Sequence, residues 1–272
     1  MISIKKNSMG CTPLGWAALN GHEEVVRILL ERDDIDSDKP DRYGRTPLQS
    51  AAKVGHERVV KLLLERDDVS PDKPDEDGLT PLCLAAFHGH EGVAKLLLRR
   101  NDVNPDKSDR YGTTPLWFAA CYGNEGVVKL LLGRDDVSLD KTPLWCAACY
   151  GYEGVVRMLL ARDDIDPNKP GSDNQTPLCL AASNGHEGVV KILPERDDID
   201  PDSRDAYGRT PLLRAAENGH EAVVRILLGR DDVDPNQPDN SGQTPLMYAA
   251  ENGYPGVIAL LQPLTNATHS AT

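Results

Sequence analysis

The sequence predicts an all-α chain: an elongated solenoid of about eight helix-turn-helix repeats joined by short hairpin loops. Three observations predict it. The tripeptide Thr-Pro-Leu begins at Thr12, Thr46, Thr80, Thr114, Thr142, Thr176, Thr210 and Thr244, with spacings of 34, 34, 34, 28, 34, 34 and 34. A fixed period of roughly 20–50 residues marks stacked supersecondary units. A glycine follows each Thr at one offset: Gly21, Gly55, Gly89, Gly123, Gly151, Gly185, Gly219 and Gly253. Beyond each glycine, apolar residues fall at i, i+1, i+4 and i+5, as in Val25, Val26, Leu29 and Leu30, the pattern of a helix with one buried face.

The first helix of each repeat starts at Thr-Pro. The Thr hydroxyl accepts an orphan backbone N–H as N-cap, and Pro fits the next position, where its missing N–H is not needed. Two alanines, such as Ala85 and Ala86, let neighbouring helices approach closely. The glycine ends this helix in the left-handed conformation. A second helix follows, with Glu24 or Arg27 pointing to water. Then comes an acidic connector such as Arg66-Asp67-Asp68-Val69-Ser70-Pro71-Asp72-Lys73-Pro74, and Asp75-Glu76-Asp77-Gly78 forms a tight turn before the next Thr-Pro.

With Thr-Pro-Leu-x-x-Ala-Ala-x-x-Gly-His and that turn in place, the chain resembles the ankyrin repeat over nearly all of its length. The resemblance implies an ankyrin repeat domain over residues 1–262 and a protein-protein interaction scaffold without catalytic activity. Two departures stand out. The position the family fills with His after Thr-Pro-Leu holds Gly15, Gln49, Cys83, Trp117, Trp145, Cys179, Leu213 or Met247, and Arg-Asp-Asp or Arg-Asn-Asp replaces the usual Gly-Ala-Asp. The acidic connectors resemble those of large fungal ankyrin proteins, including repeats carried behind NACHT-type modules. That narrower likeness implies an alternative role as the ligand-sensing arm of a nucleotide-driven (STAND/NACHT-type) signalling protein.

The repeats are not uniform. Six residues, including a whole Asp-x-x-Gly turn, are missing between repeats four and five, near residues 137–142. Pro194 occupies a place that is Leu in other repeats, so the second helix of repeat six is expected to end early. Asn174 stands in for the turn glycine, since Asn also enters the left-handed region. Neither end carries the polar face expected of a terminal repeat, so the chain is expected to be a segment of a longer protein. Residues 263–272 are expected to form a disordered C-terminal tail.

Composition and motifs narrow the function. A net charge of -13 disfavours a nucleic-acid partner. The N-terminus lacks the apolar core of a secretory signal and no stretch is long and apolar enough for a membrane helix, so the expectation is an intracellular chain, in cytoplasm or nucleus. The recurrent Gly-His-Glu lacks a second His four residues on, where Val26, Val60, Ala94, Val190 and Val224 stand, so no metal site is expected. Cys146 and Cys149 form a Cys-x-x-Cys, but within a repeat helix and not at a strand-to-helix turn. No catalytic residues, cofactor or small-molecule substrate are expected.

The resemblance directs attention to the hairpin tips and the exposed end of each first helix, where ankyrin proteins meet partners. The two residues after Ala-Ala are aromatic in the middle repeats, with Phe87 and His88, then Tyr122, then Tyr150. Tip residues Tyr43, Arg110, Tyr111 and Tyr207 extend the set. Exposed aromatics are the side chains that dominate interface energies, so these eight are the expected contacts for an unidentified protein partner. Trp117 and Trp145 are expected to be core.

Overall fold

A computed structural model describes residues 10–139 and 141–269. It divides into two units, Met1–Lys141 and Thr142–Thr272. The first holds α1 (Pro13–Leu19), α2 (Glu23–Leu30), α3 (Pro47–Val54), α4 (Glu57–Leu64), α5 (Pro81–His88), α6 (Glu91–Leu98), α7 (Pro115–Cys121) and α8 (Glu125–Leu132). The second holds α9 (Pro143–Tyr150), α10 (Glu153–Leu160), α11 (Pro177–Ser183), α12 (Glu187–Ile192), α13 (Pro211–Glu217), α14 (Glu221–Leu228), α15 (Pro245–Glu251) and α16 (Pro255–His269). Among the described residues there is no strand. In each unit the first helices of successive pairs pack on one another, as α1 on α3 and α11 on α13, and the second helices do the same, as α4 on α6 and α12 on α14.

The local signals act as the residue types dictate. Seven of the eight Thr N-caps, Thr46 and Thr80 among them, accept the backbone N–H three residues on. Ala51, Ala52, Ala85 and Ala86 are fully buried, as are Leu48, Leu63, Leu82 and Leu97. Burying one such Leu is worth roughly 1.5–3 kcal/mol, against about 0.5–1.5 kcal/mol net for a hydrogen bond. Apolar packing therefore holds the helices together, and the polar contacts fix how one repeat is set on the next.

Three polar contacts recur. The ring of His56 bonds the carbonyl of Leu19 through Nε2 at 3.2 Å, and His90 bonds Lys53 at 3.0 Å. His186 bonds Cys149 at 2.8 Å and His220 bonds Ser183 at 2.9 Å. A carbonyl only accepts, so each Nε2 carries the proton. These residues stand at helix starts, but none makes a side-chain cap bond there. Their work is to tie each repeat to the one before. The glycine of the preceding repeat makes room for the ring: Gly55 has φ +88°, and a Cβ there would lie 2.6 Å from His90 Nδ1.

Several of the connector arginines do a second job. Arg100 forks onto Asp102 through Nε and Nη2 and donates Nη1 to the Leu64 carbonyl at 2.9 Å, covering the end of the preceding α4. Arg66 and Arg134 repeat this on Leu30 and Leu98. The third contact is a ladder of aspartates. Asp38 accepts the Ser70 N–H at 3.0 Å and Asp72 accepts that of Asn104 at 2.7 Å. Burial holds both of these carboxyls above the ordinary range.

The irregular repeats show their cost locally. Thr142, which lacks a preceding turn, has φ 51°, ψ 46° and no side-chain cap bond, an unfavourable backbone for a β-branched residue. Asp173 and Asn174 are left-handed at φ 53° and φ 57° within a short 3-10 turn. The helix of repeat six ends early as Pro194 dictates: α12 stops at Ile192 and residues Leu193–Glu195 form a 3-10 turn. The C-terminus differs from expectation. α16 continues through Pro263 to His269, so residues 263–269 are helical where a disordered tail was expected. Proline disrupts its own turn, and the residues beyond it can still form helix. Residues 270–272 lie outside the described residues, as does Met1. Replacing Pro194 by Leu restores the missing backbone donor, and should raise the stability of the second unit by about 1–3 kcal/mol in urea denaturation.

Candidate functional site

In the first unit, Lys53 in the last turn of α3, Leu84 in the middle of α5 and two hairpin tips line an open groove. Tyr43, Arg45, Lys53, Glu76, Asp77 and Leu84 are among its walls, and its volume is about 400 Å³. The tips are built by their aspartates. Asp41 Oδ1 accepts the N–H groups of Tyr43 and Arg45 at 2.9 and 3.0 Å, and Asp109 does the same for Tyr111 and Thr113. Successive tips are pinned by backbone bonds, Glu76 N–H to the Tyr43 carbonyl and Arg110 N–H to that of Asp77. The side chains at the tips are thus held by a rigid frame.

Phe87 sits at the centre of an aromatic cluster. Its ring lies 4.3 Å from Tyr122, 4.7 Å from His88 and 5.7 Å from Phe118, measured between centroids. Such edge-on and tilted pairs add about 0.5–1.5 kcal/mol beyond burial. Phe118 is buried as the floor, Phe87 is half-buried, and Tyr122 is 49% exposed. Burial, with help from His90 and Lys53, holds His88 below the usual histidine range, so its ring is neutral near pH 7. Tyr43 and Tyr111 are exposed at the tips, each with an arginine over its face, Arg42 at 4.7 Å and Arg110 at 4.9 Å. Arg110 also pairs with Asp77 at 2.8 Å.

Of the eight residues expected from sequence, Phe87, His88, Tyr122, Tyr43, Arg110 and Tyr111 fall in the first unit. Tyr150 and Tyr207 fall in the second, where both are exposed and Tyr150 stands 6.1 Å from Tyr152. Trp117 and Trp145 are half-buried, not fully core, with the indole of Trp145 lying against the Gly171 backbone.

Sequence reasoning missed a network in the second unit. Arg214 donates through Nε to the fully buried Asp205 at 2.8 Å and through Nη1 to Glu217 at 3.2 Å. Arg209 reaches Glu217 at 2.9 Å and the Tyr248 hydroxyl at 3.0 Å, and that hydroxyl donates to Asp239. Tyr207 is covered by Arg209 at 5.5 Å and Arg214 at 5.7 Å. The signal lay two positions beyond Thr-Pro-Leu: Leu84, Phe118 and Leu180 are apolar there, whereas Arg214 and Tyr248 are polar.

The free thiols of Cys179 and Cys149 show no sign of activation. Burial pushes the Cys179 thiol up to about 12, with the Asp205 carboxylate adding to the effect, and burial likewise raises Cys149. A reactive thiol needs the opposite shift. Among the described residues no group of three or more His, Cys, Asp or Glu could hold a metal ion, and no helix is long and apolar enough to cross a membrane. The buried pair gives a sharp test. Asp205→Ala removes the buried partner of Arg214, leaving it only Glu217, and should cost about 3–5 kcal/mol, whereas Asp109→Ala, which loses only turn bonds, should cost about 1–2 kcal/mol in the same denaturation assay.

The ankyrin repeat family model, three copies long, matches residues 2–75, 68–141, 134–205 and 197–270. A comparison with curated proteins finds no match. Helix pairs, left-handed glycines and hairpin tips fall where such repeats require them, and the match spans almost every residue: the chain belongs to the ankyrin repeat family.

Proposed function

We propose that this chain is a protein-interaction scaffold that binds a protein partner through the tips and first-helix ends of its repeats, with no chemistry of its own. Ankyrin repeats are generally protein-protein interaction modules. The observation that carries the finer reading is the pairing of Phe87 with Tyr122. Two aromatic rings 4.3 Å apart are presented on a backbone frame fixed by the hairpin tips, and rigid aromatics bind at low entropic cost. A neutral His88 and the exposed Tyr43 and Tyr111 widen this surface, while Arg42 and Arg110 keep the tip rings in place.

Tyr150 and Tyr207 extend the reading to the second unit. There Tyr207 rides on the Arg209 and Arg214 guanidinium groups, which are themselves held by Asp205 and Glu217. The partner is therefore expected to bring apolar or aromatic side chains to the first unit and polar groups to the second. The net charge of -13 is consistent with a partner other than nucleic acid.

The test is to select a binder for the full chain from a display library of protein fragments and measure its affinity for variants. Phe87→Ser and Tyr122→Ser should each weaken it by on the order of 2 kcal/mol, about thirtyfold. Glu24→Ser, on an outer face, should leave it unchanged. Equal affinity for all three variants would remove the aromatic cluster from the interface.

A further inference from the structure

Three aspartates of the ladder carry a buried oxygen without a hydrogen-bond partner. Asp38 and Asp72 accept the N–H groups of Ser70 and Asn104 through Oδ2, and Asp202 accepts that of Asp234 through Oδ2 at 2.8 Å. In each, the other oxygen, Oδ1, is buried and unpaired. One rung is made differently. Asn168 accepts the Asp200 N–H through Oδ1 at 2.9 Å, and its Nδ2 donates to the carbonyl of Asp198 at 2.5 Å. The accepted N–H lies 32 residues on in all four rungs. Amide and carboxyl groups are planar and of the same shape, so Oδ1 of each aspartate takes the place of that Nδ2. The carbonyls in register with that of Asp198 are those of Asp68, Asp102 and Asp232. Asparagine brings a donor to this place, whereas an ionised carboxyl brings only lone pairs.

We propose that Asp38, Asp72 and Asp202 make the ladder a pH-sensitive device: each neutral carboxyl donates from Oδ1 to the carbonyl in register, as Asn168 does, and fastens its connector to the next as pH falls. The ionised form keeps the first bond and leaves a buried oxygen against a carbonyl oxygen, which costs free energy. The surrounding charges grade the effect. Asp38 has Lys73 at 3.9 Å, with Asp36 and Asp68 opposing it. Asp72 has Lys107, whose Nζ donates to the Asp72 carbonyl at 2.7 Å, with Asp102 opposing it. Around Asp202 stand Asp200 of its own connector and Asp232 and Asp234 of the next, and Gln237 occupies the position of Lys73 and Lys107. Asp202 is therefore the rung whose neighbours favour the proton most. Burial raises all three carboxyls above the ordinary range, so the proton binds first in the folded chain. The stabilisation this adds is complete below the unfolded value near 4 and is lost as pH rises through the higher folded values.

Urea unfolding of the full chain, with variants compared at the same pH, tests the proposal. The Arg-x-Asp forks fade in acid in every variant alike and drop out of the difference. Asp202→Asn supplies the donor at every pH. Its midpoint should exceed that of the wild type at pH 7 by roughly 0.3–1 M urea, and the gap should narrow as pH falls toward 4. Asn168→Asp places a carboxyl in the fourth rung. It should lower the midpoint at pH 7 and return toward the wild type in acid, and the same return is read if the variant is unfolded at pH 7. Relief of repulsion from the exposed Asp200, Asp232 and Asp234 would also favour Asp202→Asn, but salt screens that effect. The gap at pH 7 should therefore persist in about 1 M sodium chloride. No gap at pH 7, a gap that stays constant down to pH 4, or a gap that vanishes in salt would each overturn the proposal. So would an Asn168→Asp chain that gains nothing on the wild type as pH falls.

Discussion

The contact on which the rest of the structure depends is a glycine in left-handed conformation with the histidine ring of the next repeat laid across it. One position meets two demands at once. The chain must end the first helix, which requires positive φ, and it must let a ring approach the backbone closely enough to reach a carbonyl. Only glycine meets both, since a Cβ at Gly55 would strike His90. Where His is replaced, the contact changes chemistry and keeps its place: Asn124 donates to the Ala86 carbonyl at 2.7 Å, and Tyr254 covers Gly219. Apolar packing supplies most of the energy of stacking, but it is indifferent to small rotations. The directed bond, the connector arginine and the aspartate ladder are what fix each repeat on the last.

A frame that is specified so heavily leaves the outward positions free to vary. Cluster and network differ although the backbone beneath them is the same. In the first unit the inner face of the helix pairs carries Leu84, Phe118 and the Phe87-Tyr122 pair; in the second it carries Arg214, Tyr248 and their carboxylates. The acidic connectors, which dominate the net charge, are largely committed to this frame. The Arg-x-Asp forks hold Asp68, Asp102 and Asp136 below the ordinary carboxylate range, so what they add to stability is present above the unfolded pKa near 4 and fades as pH falls through the lower folded values. Asp38 and Asp72 are shifted the other way by burial and oppose that trend.

Much of this was legible in the sequence because a repeat prints its own alignment. Eight copies of Thr-Pro-Leu gave the helix starts, the glycines gave the helix ends, and Pro194 announced its broken helix. Contacts between repeats were harder to read. The recurrent His raised only the question of a metal site, since a single sequence does not show that its partner is a carbonyl in the repeat before. Arg-Asp-Asp read only as a replacement for the family's Gly-Ala-Asp, yet its arginine caps a neighbouring helix at Arg66, Arg100 and Arg134. The ion network around Asp205 was hidden for the same reason: its members come from the turn and first helix of one repeat and the first helix of the next. The helix running on past Pro263 to His269 stands where a disordered tail was expected.

The central claim is that wherever the repeat keeps its histidine, at His56, His90, His186 and His220, it is tied to its predecessor by an imidazole Nε2–H held on a carbonyl across a glycine. Nitrogen-15 NMR of the histidine side chains tests it most directly. The account predicts that His56, His90, His186 and His220 are locked in the Nε2–H form, with ring protons slow to exchange. Averaged tautomers or fast exchange at those four rings would contradict it.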